Sequence, residues 1–178
     1  AGLCAEQGHR VELWEQSDHL GGALAVAARL RGNHRYGRWI DWQRGRLDRV
    51  GVTVRLSHTA DVAAVSAQGA DTVIVATGAV PRRPEVPGVD QPHVVAAVDL
   101  ITSPAPPGAS IALVVADDGP APPTIAHHLA HLGHAVTVVF ETPSLAPDVG
   151  KYSLGSMLGA LDRAGVVLQP LSVLREID

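Results

Sequence analysis

The sequence predicts an α/β fold built from parallel, βαβ-wound units, on two observations. Apolar runs of strand length alternate with helix-like stretches along most of the 178 residues, the order that builds a parallel sheet through helical crossovers. A segment near the start is also repeated in the second half. Gly8-His9-Arg10-Val11-Glu12-Leu13-Trp14-Glu15 resembles Gly133-His134-Ala135-Val136-Thr137-Val138-Val139-Phe140-Glu141, each following a helix end and each closing an apolar run with an acid.

Strands are expected over 10–14, 52–56, 72–76, 110–116, 135–140 and 166–168. Helices are expected near 36–50, 123–132 and 153–164; the last two end at Gly133 and Gly165, in the position after a helix where glycine tolerates positive φ. Ser103-Pro104-Ala105-Pro106-Pro107-Gly108 cannot continue a helix or a central strand, because its prolines fix φ and lack amide donors. A domain boundary is placed there, giving domains 1–103 and 104–178.

The repeat implies two Rossmann-like dinucleotide-binding units. In the second, the opening strand begins at Ser110, 23 residues ahead of Gly133, whereas only 7 residues precede Gly8. The first unit is therefore expected to lack its opening strand and the glycine loop on which a pyrophosphate rests. Gly2 is no remnant of that loop: the fingerprint places its acidic ribose ligand about 20 residues past the glycines, and Gly2 precedes Glu15 by only 13. It reads as a helix residue. With the chain also stopping soon after 166–168, exposed sheet edges are expected to make it poorly stable or aggregation-prone alone.

Composition narrows the partners. With 46% hydrophobic residues the chain can bury real cores, and a net charge of -4 with interspersed signs offers no basic stripe for nucleic acid. No stretch approaches the ~18 apolar residues of a membrane span. The single cysteine, Cys4, forms no internal disulfide and supplies no dithiol pair, and no signal peptide opens the sequence, so a cytoplasmic location is expected.

Three candidate elements point to a nucleotide. Glu15 ends the strand Val11-Glu12-Leu13-Trp14, where a carboxylate can accept both hydroxyls of an adenosine ribose. Leu20-Gly21-Gly22 follows, a tight turn without side chains that would let the backbone approach a ligand. Asp71-Thr72-Val73-Ile74-Val75-Ala76-Thr77-Gly78 reads as a buried strand ending in small residues at its carboxyl end, where open α/β sheets bind ligands. Other constellations read as structure. His127, His128 and His131 lack accompanying carboxylates or cysteines for a metal, the arginines between 29 and 49 read as an exposed helix surface, and Trp39 and Trp42 read as packing against the sheet.

Taken together, Val11-Glu12-Leu13-Trp14-Glu15, Leu20-Gly21-Gly22-Ala23-Leu24, Ala76-Thr77-Gly78 and Pro81-Arg82-Arg83-Pro84-Glu85-Val86-Pro87-Gly88 resemble the flavoprotein pyridine-nucleotide reductase superfamily. More narrowly, Ala27-Ala28-Arg29-Leu30, Tyr36-Gly37-Arg38 and Trp39-Ile40-Asp41-Trp42 are similar to the C-terminal half of NADH:flavin oxidoreductases related to old yellow enzyme, a family that includes trimethylamine dehydrogenase, histamine dehydrogenase and 2,4-dienoyl-CoA reductase. The resemblance implies that this region binds FAD or ADP, while an N-terminal barrel absent from the sequence carries FMN and an iron-sulfur cluster and performs the chemistry. It also implies a homo-oligomeric parent. It gives Glu15 the ribose, Gly21 and Gly22 the turn beside the nucleotide, Ala76, Thr77 and Gly78 the wall along it, and Ala60 a place near the adenine.

The second unit departs from the pattern. Its three fingerprint positions fall on Asp117, Gly119 and Pro122, so one glycine survives. Carboxylates at Asp117 and Asp118 would repel a pyrophosphate while occupying the helix's free amides, and a proline at the third position reads as the first residue of a helix. The NAD(P)H site is expected to be vestigial. Such a loss resembles the amine dehydrogenases, which pass electrons to a protein acceptor. An FAD enzyme with a working NAD(P)H site, such as an enoyl-CoA reductase, and a non-redox ADP-holding scaffold are the alternatives.

Overall fold

Short parallel strands fed by helices recur throughout the computed structural model, which describes residues 1–103 and 109–178. The chain divides into two units, Ala1–Val80 and Pro81–Asp178. Of the proline-rich stretch at which the sequence places a boundary, residues 104–108 lie outside those described.

In the first unit the order is α1 (Gly2–Glu6), β1 (Glu12–Trp14), α2 (Gly22–Ala28), α3 (His34–Arg49), β2 (Thr53–Arg55) and α4 (Val62–Ala67). Gly2 is helical, as its spacing from Glu15 requires. β1 and β2 pair in parallel, with Leu13 opposite Val54, and the ladder is prolonged by Thr53 N–H donating to the Val11 carbonyl and Glu15 N–H to that of Arg55. Ile40 and Leu47, seven residues apart and so on one side of α3, are its buried residues, joined in the interior by Leu30 and Val52. Trp39 and Trp42 do not pack on the sheet as expected. They are 51% and 54% exposed, because the face of α3 that Ile40 and Leu47 turn inward excludes them, and Trp42 instead lies under the Arg46 guanidinium, 5.9 Å from its ring centre. Nor do the arginines form a merely exposed surface. Arg46 makes a two-pronged bond to Glu6 of α1 (2.8 and 2.6 Å), and Arg44 donates to the Leu20 carbonyl.

Residues 72–76 also depart from expectation: they form no strand, and Val73, Ile74 and Val75 are exposed, Ile74 at 71%. A strand exists only through hydrogen bonds to a neighbour, and among the described residues the sheet of this unit contains β1 and β2 alone. The apolar pattern has nothing to pair with.

The second unit runs α5 (Ala97–Thr102), β3 (Ser110–Val114), α6 (Ala121–His131), β4 (Ala135–Val139), α7 (Lys151–Arg163) and β5 (Val167–Gln169). Its sheet has the order β3-β4-β5, all parallel, with Leu113 opposite Val138 and Val138 opposite Leu168. The central strand β4 carries the core. Val136 and Val138 pack with Ala126 and Leu129 of α6, Leu161 of α7, and Phe140, Leu145, Ala146 and Val166. Leu129 and Val138 are almost completely removed from solvent. Burial of one such side chain is worth about 1.5–3 kcal/mol, and truncating one to alanine costs about 2–5 kcal/mol.

α6 hands over to β4 through a closed turn. Gly133 at φ +92° donates to the Ala130 carbonyl while His134 N–H reaches back to Leu129, so the last carbonyls of the helix are satisfied and the chain reverses into the strand. On α6, burial and then the neighbouring charges of His131 and His127 hold the His128 imidazole below its usual pKa of 6.5. The helix dipole, which favours a cation in the last turn, does not outweigh them.

Because His128 is harder to protonate in the folded than in the unfolded chain, the unfolded state binds the extra proton first as pH falls. The folded state is thus expected to lose stability as pH drops below 6.5, an effect absent above it. In melts recorded across that range, His128→Gln should show a shallower fall of Tm than the native chain; an unchanged slope would mean His128 does not contribute.

Candidate nucleotide-binding site

The carboxyl ends of β1 and β2 lie side by side because the strands are parallel, and their loops are laced together. The Glu15 carbonyl accepts His58 N–H at 2.9 Å, and Ser57 N–H donates to the Ser17 carbonyl at 2.8 Å. Glu15 itself is half-buried, and its Oε1 accepts the Ser17 amide at 2.9 Å, which fixes the direction of the side chain at the strand end. The His58 ring meets Trp14 edge to face, with ring centres 4.4 Å apart. Sequence reading did not single out Ser17 or His58. Their signal was there in polar residues standing three positions past the ends of β1 and β2, but only pairing of those strands makes the residues neighbours.

Six residues beyond Glu15 the chain turns at Gly21 and Gly22 and enters α2. Gly21 has φ +127°, and its carbonyl accepts the amides of Leu24 and Ala25. A Cβ there would lie 2.9 Å from the Ala25 Cβ and 3.1 Å from the Ile40 Cδ1, so this glycine lets α2 approach α3. Gly22 differs: its φ is +47°, and a Cβ would meet nothing within 4 Å. Its missing side chain leaves open space beside the turn. The Arg44 guanidinium holds the turn to α3 through the Leu20 carbonyl at 3.1 Å.

Ala60 is exposed two residues beyond His58, next to Asp61, whose carboxylate caps α4 by accepting the Ala64 amide at 2.7 Å. Ala76, Thr77 and Gly78 sit on the exposed stretch that the sequence reads as a strand, and among the described residues no backbone hydrogen bond joins them to Glu15 or the glycine turn. The structure thus ties Glu15, Ser17, Ser57 and His58 into one hydrogen-bonded unit, with the glycine turn and Ala60 close along the chain.

In the second unit, a cavity of about 280 Å³ opens at the carboxyl ends of β3 and β4. Val115, Phe140 and Leu145 supply its apolar part, while Asp117, Asp118 and Glu141 supply carboxylates. Asp117 Oδ1 accepts the Gly119 amide at 2.6 Å. This corrects the expectation that the two acids occupy the helix's own amides. α6 starts at Ala121 with no side-chain cap, and Pro120, Pro122 and Pro123 around its first turn have no N–H to offer. With α6 beginning at Ala121, the proline at 122 is the second residue of the helix, not the first.

No protein-family model matches the chain. It is 32% identical over 175 residues, 97% of its length, to NADH oxidase of Thermoanaerobacter brockii, of which it spans 27%. Among solved structures it superposes on a 2-naphthoyl-CoA reductase with a TM-score of 0.91 at 22% identity, covering all of this chain and 27% of that one. Histamine dehydrogenase from Rhizobium sp. 4-9 matches with a TM-score of 0.82 at 22% identity, over 99% of this chain and 29% of the other. The chain thus spans little more than a quarter of the length of each of these three proteins, all oxidoreductases.

The glycine turn generates a test. A side chain at position 21 needs a left-handed backbone and collides with Ala25 and Ile40, so Gly21→Ala should destabilise the first unit by about 1–3 kcal/mol. Gly22→Ala, with open space and a conformation that costs about 1–2 kcal/mol, should do so less. Chemical denaturation of both variants would check the order; equal effects would remove the packing role given to Gly21.

Proposed function

We propose that this chain, related over nearly its whole length to these flavin-dependent oxidoreductases, forms the nucleotide-binding segment of such an enzyme, its first unit holding the ADP portion of FAD or a free ADP. The observation that carries the proposal is the half-buried Glu15 carboxylate at the carboxyl end of β1, oriented by the Ser17 amide and followed by the open turn at Gly22. A carboxylate there accepts the two ribose hydroxyls, and a backbone without Cβ allows close approach of the nucleotide. Ala60 and His58 would border the adenine, and Ala76, Thr77 and Gly78 would wall the nucleotide once residues 72–76 gain a strand neighbour. In the repeat, β4 has neighbours on both sides whereas β1 has one; a parallel strand equivalent to β3 would complete the first sheet and bring a phosphate-binding loop.

The chemistry belongs to other parts of the protein. Bound flavin would supply hydride and electron transfer, and we place FMN and an iron-sulfur cluster, with the substrate, in a separate barrel, so that this chain alone is inactive. Its own residues bind and orient the nucleotide. Electron delivery to a protein acceptor, a homo-oligomeric parent and a cytoplasmic location complete the proposal; among the described residues no helix is long and apolar enough to cross a membrane. A second reading, an NAD(P)H-dependent FAD enzyme, is favoured by the similarity to an NADH oxidase.

Glu15→Gln keeps the size of the side chain but removes the charge from two ribose hydrogen bonds. With charge-assisted bonds worth about 1.5–3 kcal/mol, it is expected to weaken ADP binding about tenfold or more. Isothermal titration of ADP into the native and substituted chains would measure this, and equal affinities would refute the assignment of Glu15.

A further inference from the structure

The second unit has the strand order and the strand-end acid of a dinucleotide site, with Glu141 directly after Phe140 as Glu15 is directly after Trp14. The pyrophosphate of NADH or NADPH is held at such a site by the free amides at a helix N-terminus and by glycine amides of the preceding loop. We infer that in this chain those donors have been removed and that the crevice at β3 and β4 is closed to NAD(P)H.

Counting the donors gives the reason. At the four positions from 120 to 123, where the amides of a helix start point outward unbonded, Pro120, Pro122 and Pro123 carry no N–H, so only Ala121 can donate. The next residue, Thr124, already donates its amide to the Pro120 carbonyl. In the preceding loop, the amide of the surviving fingerprint glycine, Gly119, is taken by Asp117 at 2.6 Å. A pyrophosphate entering here would meet one available amide of this turn where a working site presents several.

It would also meet the wrong charge. The cavity lining includes Asp117, Asp118 and Glu141 and neither lysine nor arginine, so anionic phosphates face carboxylates with no cation in the lining to offset them. The adenosine half of a dinucleotide could still find Glu141 and the apolar wall of Phe140 and Leu145, but that half does not bring the nicotinamide to a flavin unless the pyrophosphate is fixed. Asp117 is in this sense a specificity-determining residue: it fills with its own carboxylate the place where a phosphate oxygen would take the Gly119 amide. The unit remains a well-packed body around Leu129, Val138 and Leu161, and a protein carrying it receives its electrons by another route, either from a substrate oxidised elsewhere or from a donor that does not use this crevice.

The inference rests on the proposed function only in expecting a dinucleotide at this crevice, and its test can be separated from that reading. NADH and NADPH would be titrated, by nicotinamide fluorescence, into the chain carrying Glu15→Gln, in which nucleotide binding by the first unit is weakened, and binding that ADP displaces with the affinity of the first unit would be assigned to that unit. No saturable binding is expected up to about 1 mM, an affinity below the general range of functional nucleotide sites. In the same background, Asp117→Ala frees the Gly119 amide and removes one charge, and adding Pro122→Ala and Pro123→Ala returns two helix amides. The triple change is expected to raise NADH affinity by about tenfold or more, since bonds from amides to charged oxygens are the strong ones. Saturable binding well below 1 mM before these changes would overturn the inference, as would a triple variant with native circular dichroism that gains nothing. Should the triple variant fail to fold, Asp117→Ala alone, which keeps the buried prolines, must still show a gain; none would overturn it. Weakened ADP binding on Glu15→Gln reports on the first unit alone, so either idea can fail without the other.

Discussion

The structure depends on one recurrent backbone closure between helix and strand. At the end of α6 the Gly133 and His134 amides return to the carbonyls of Ala130 and Leu129, and at the end of α1 the Gly8 and His9 amides return to those of Ala5 and Cys4, with the same left-handed glycine in each. The ends of α3 and α7 close in the same pattern, through Val52 to Leu47 and Val166 to Leu161. Each closure stops a helix, satisfies its orphan carbonyls and launches the next strand back alongside its neighbour. Every strand pair in the described residues is therefore parallel. Parallel strands put all their carboxyl ends on one side of a sheet, which is why Glu15 finds itself beside Ser57 and His58, and Glu141 beside Asp117 and Asp118.

The two units are stabilised by different means around this common device. In the second, three strands give a central β4 with two neighbours, and its Val136 and Val138 sit among seven further buried apolar residues. In the first, two strands of three residues cannot enclose a comparable core, and its buried side chains are Leu30, Ile40, Leu47 and Val52. Polar ties do part of the positioning instead: Arg46 to Glu6 between α1 and α3, Arg44 to the glycine turn, and Glu12 to both Arg55 and Gln68 across the paired strands. The Arg46 bond holds the Glu6 carboxyl below its usual pKa. Exposed pairs of this kind contribute little free energy each; they set geometry more than stability, and the Arg44 bond to the Leu20 carbonyl does so for the loop carrying Gly21 and Gly22.

What could be read from the sequence follows from how local each feature is. The glycines after α6 and α7 mark their ends because a left-handed residue after an apolar helix is a local requirement, and the three longest helices lie within two residues of their expected bounds. β3, β4 and β5 were legible because their apolar runs find partners. Residues 72–76 carry the same apolar pattern and form no strand, since a strand is made by a neighbour that the pattern cannot supply. α2 and α4 went unread for another reason: Gly22–Ala28 and Val62–Ala67 are almost wholly apolar or small, so neither shows the alternation of faces by which a helix is recognised. Trp39 and Trp42 were misplaced because spacing identifies a face but not which face turns inward; Ile40 and Leu47 are the buried residues of α3, with Ile40 against the turn that opens α2. At the candidate site Glu15 and the glycine turn are readable as strand-end acid and side-chain-free loop, while Ser17 and His58 are joined to them only through the β1–β2 pairing.

Repetition makes the difference between the units interpretable. Both place an acid within two residues of the end of the strand that follows the helix closure, so the acid alone cannot decide whether a nucleotide binds. What decides it is the backbone that faces the acid. In the first unit the chain after Glu15 proceeds to a turn where Gly22 leaves open space and where the carboxylate is already aimed by an amide. In the second, the chain facing Glu141 places an aspartate on the one glycine amide and prolines at three of the four helix-start positions. A proline costs nothing at a helix start, where its missing N–H would be unbonded in any case, so those substitutions leave the fold intact while erasing the anion site. Fold and ligand chemistry are separable here because the amides that bind phosphate are the ones the helix itself does not use.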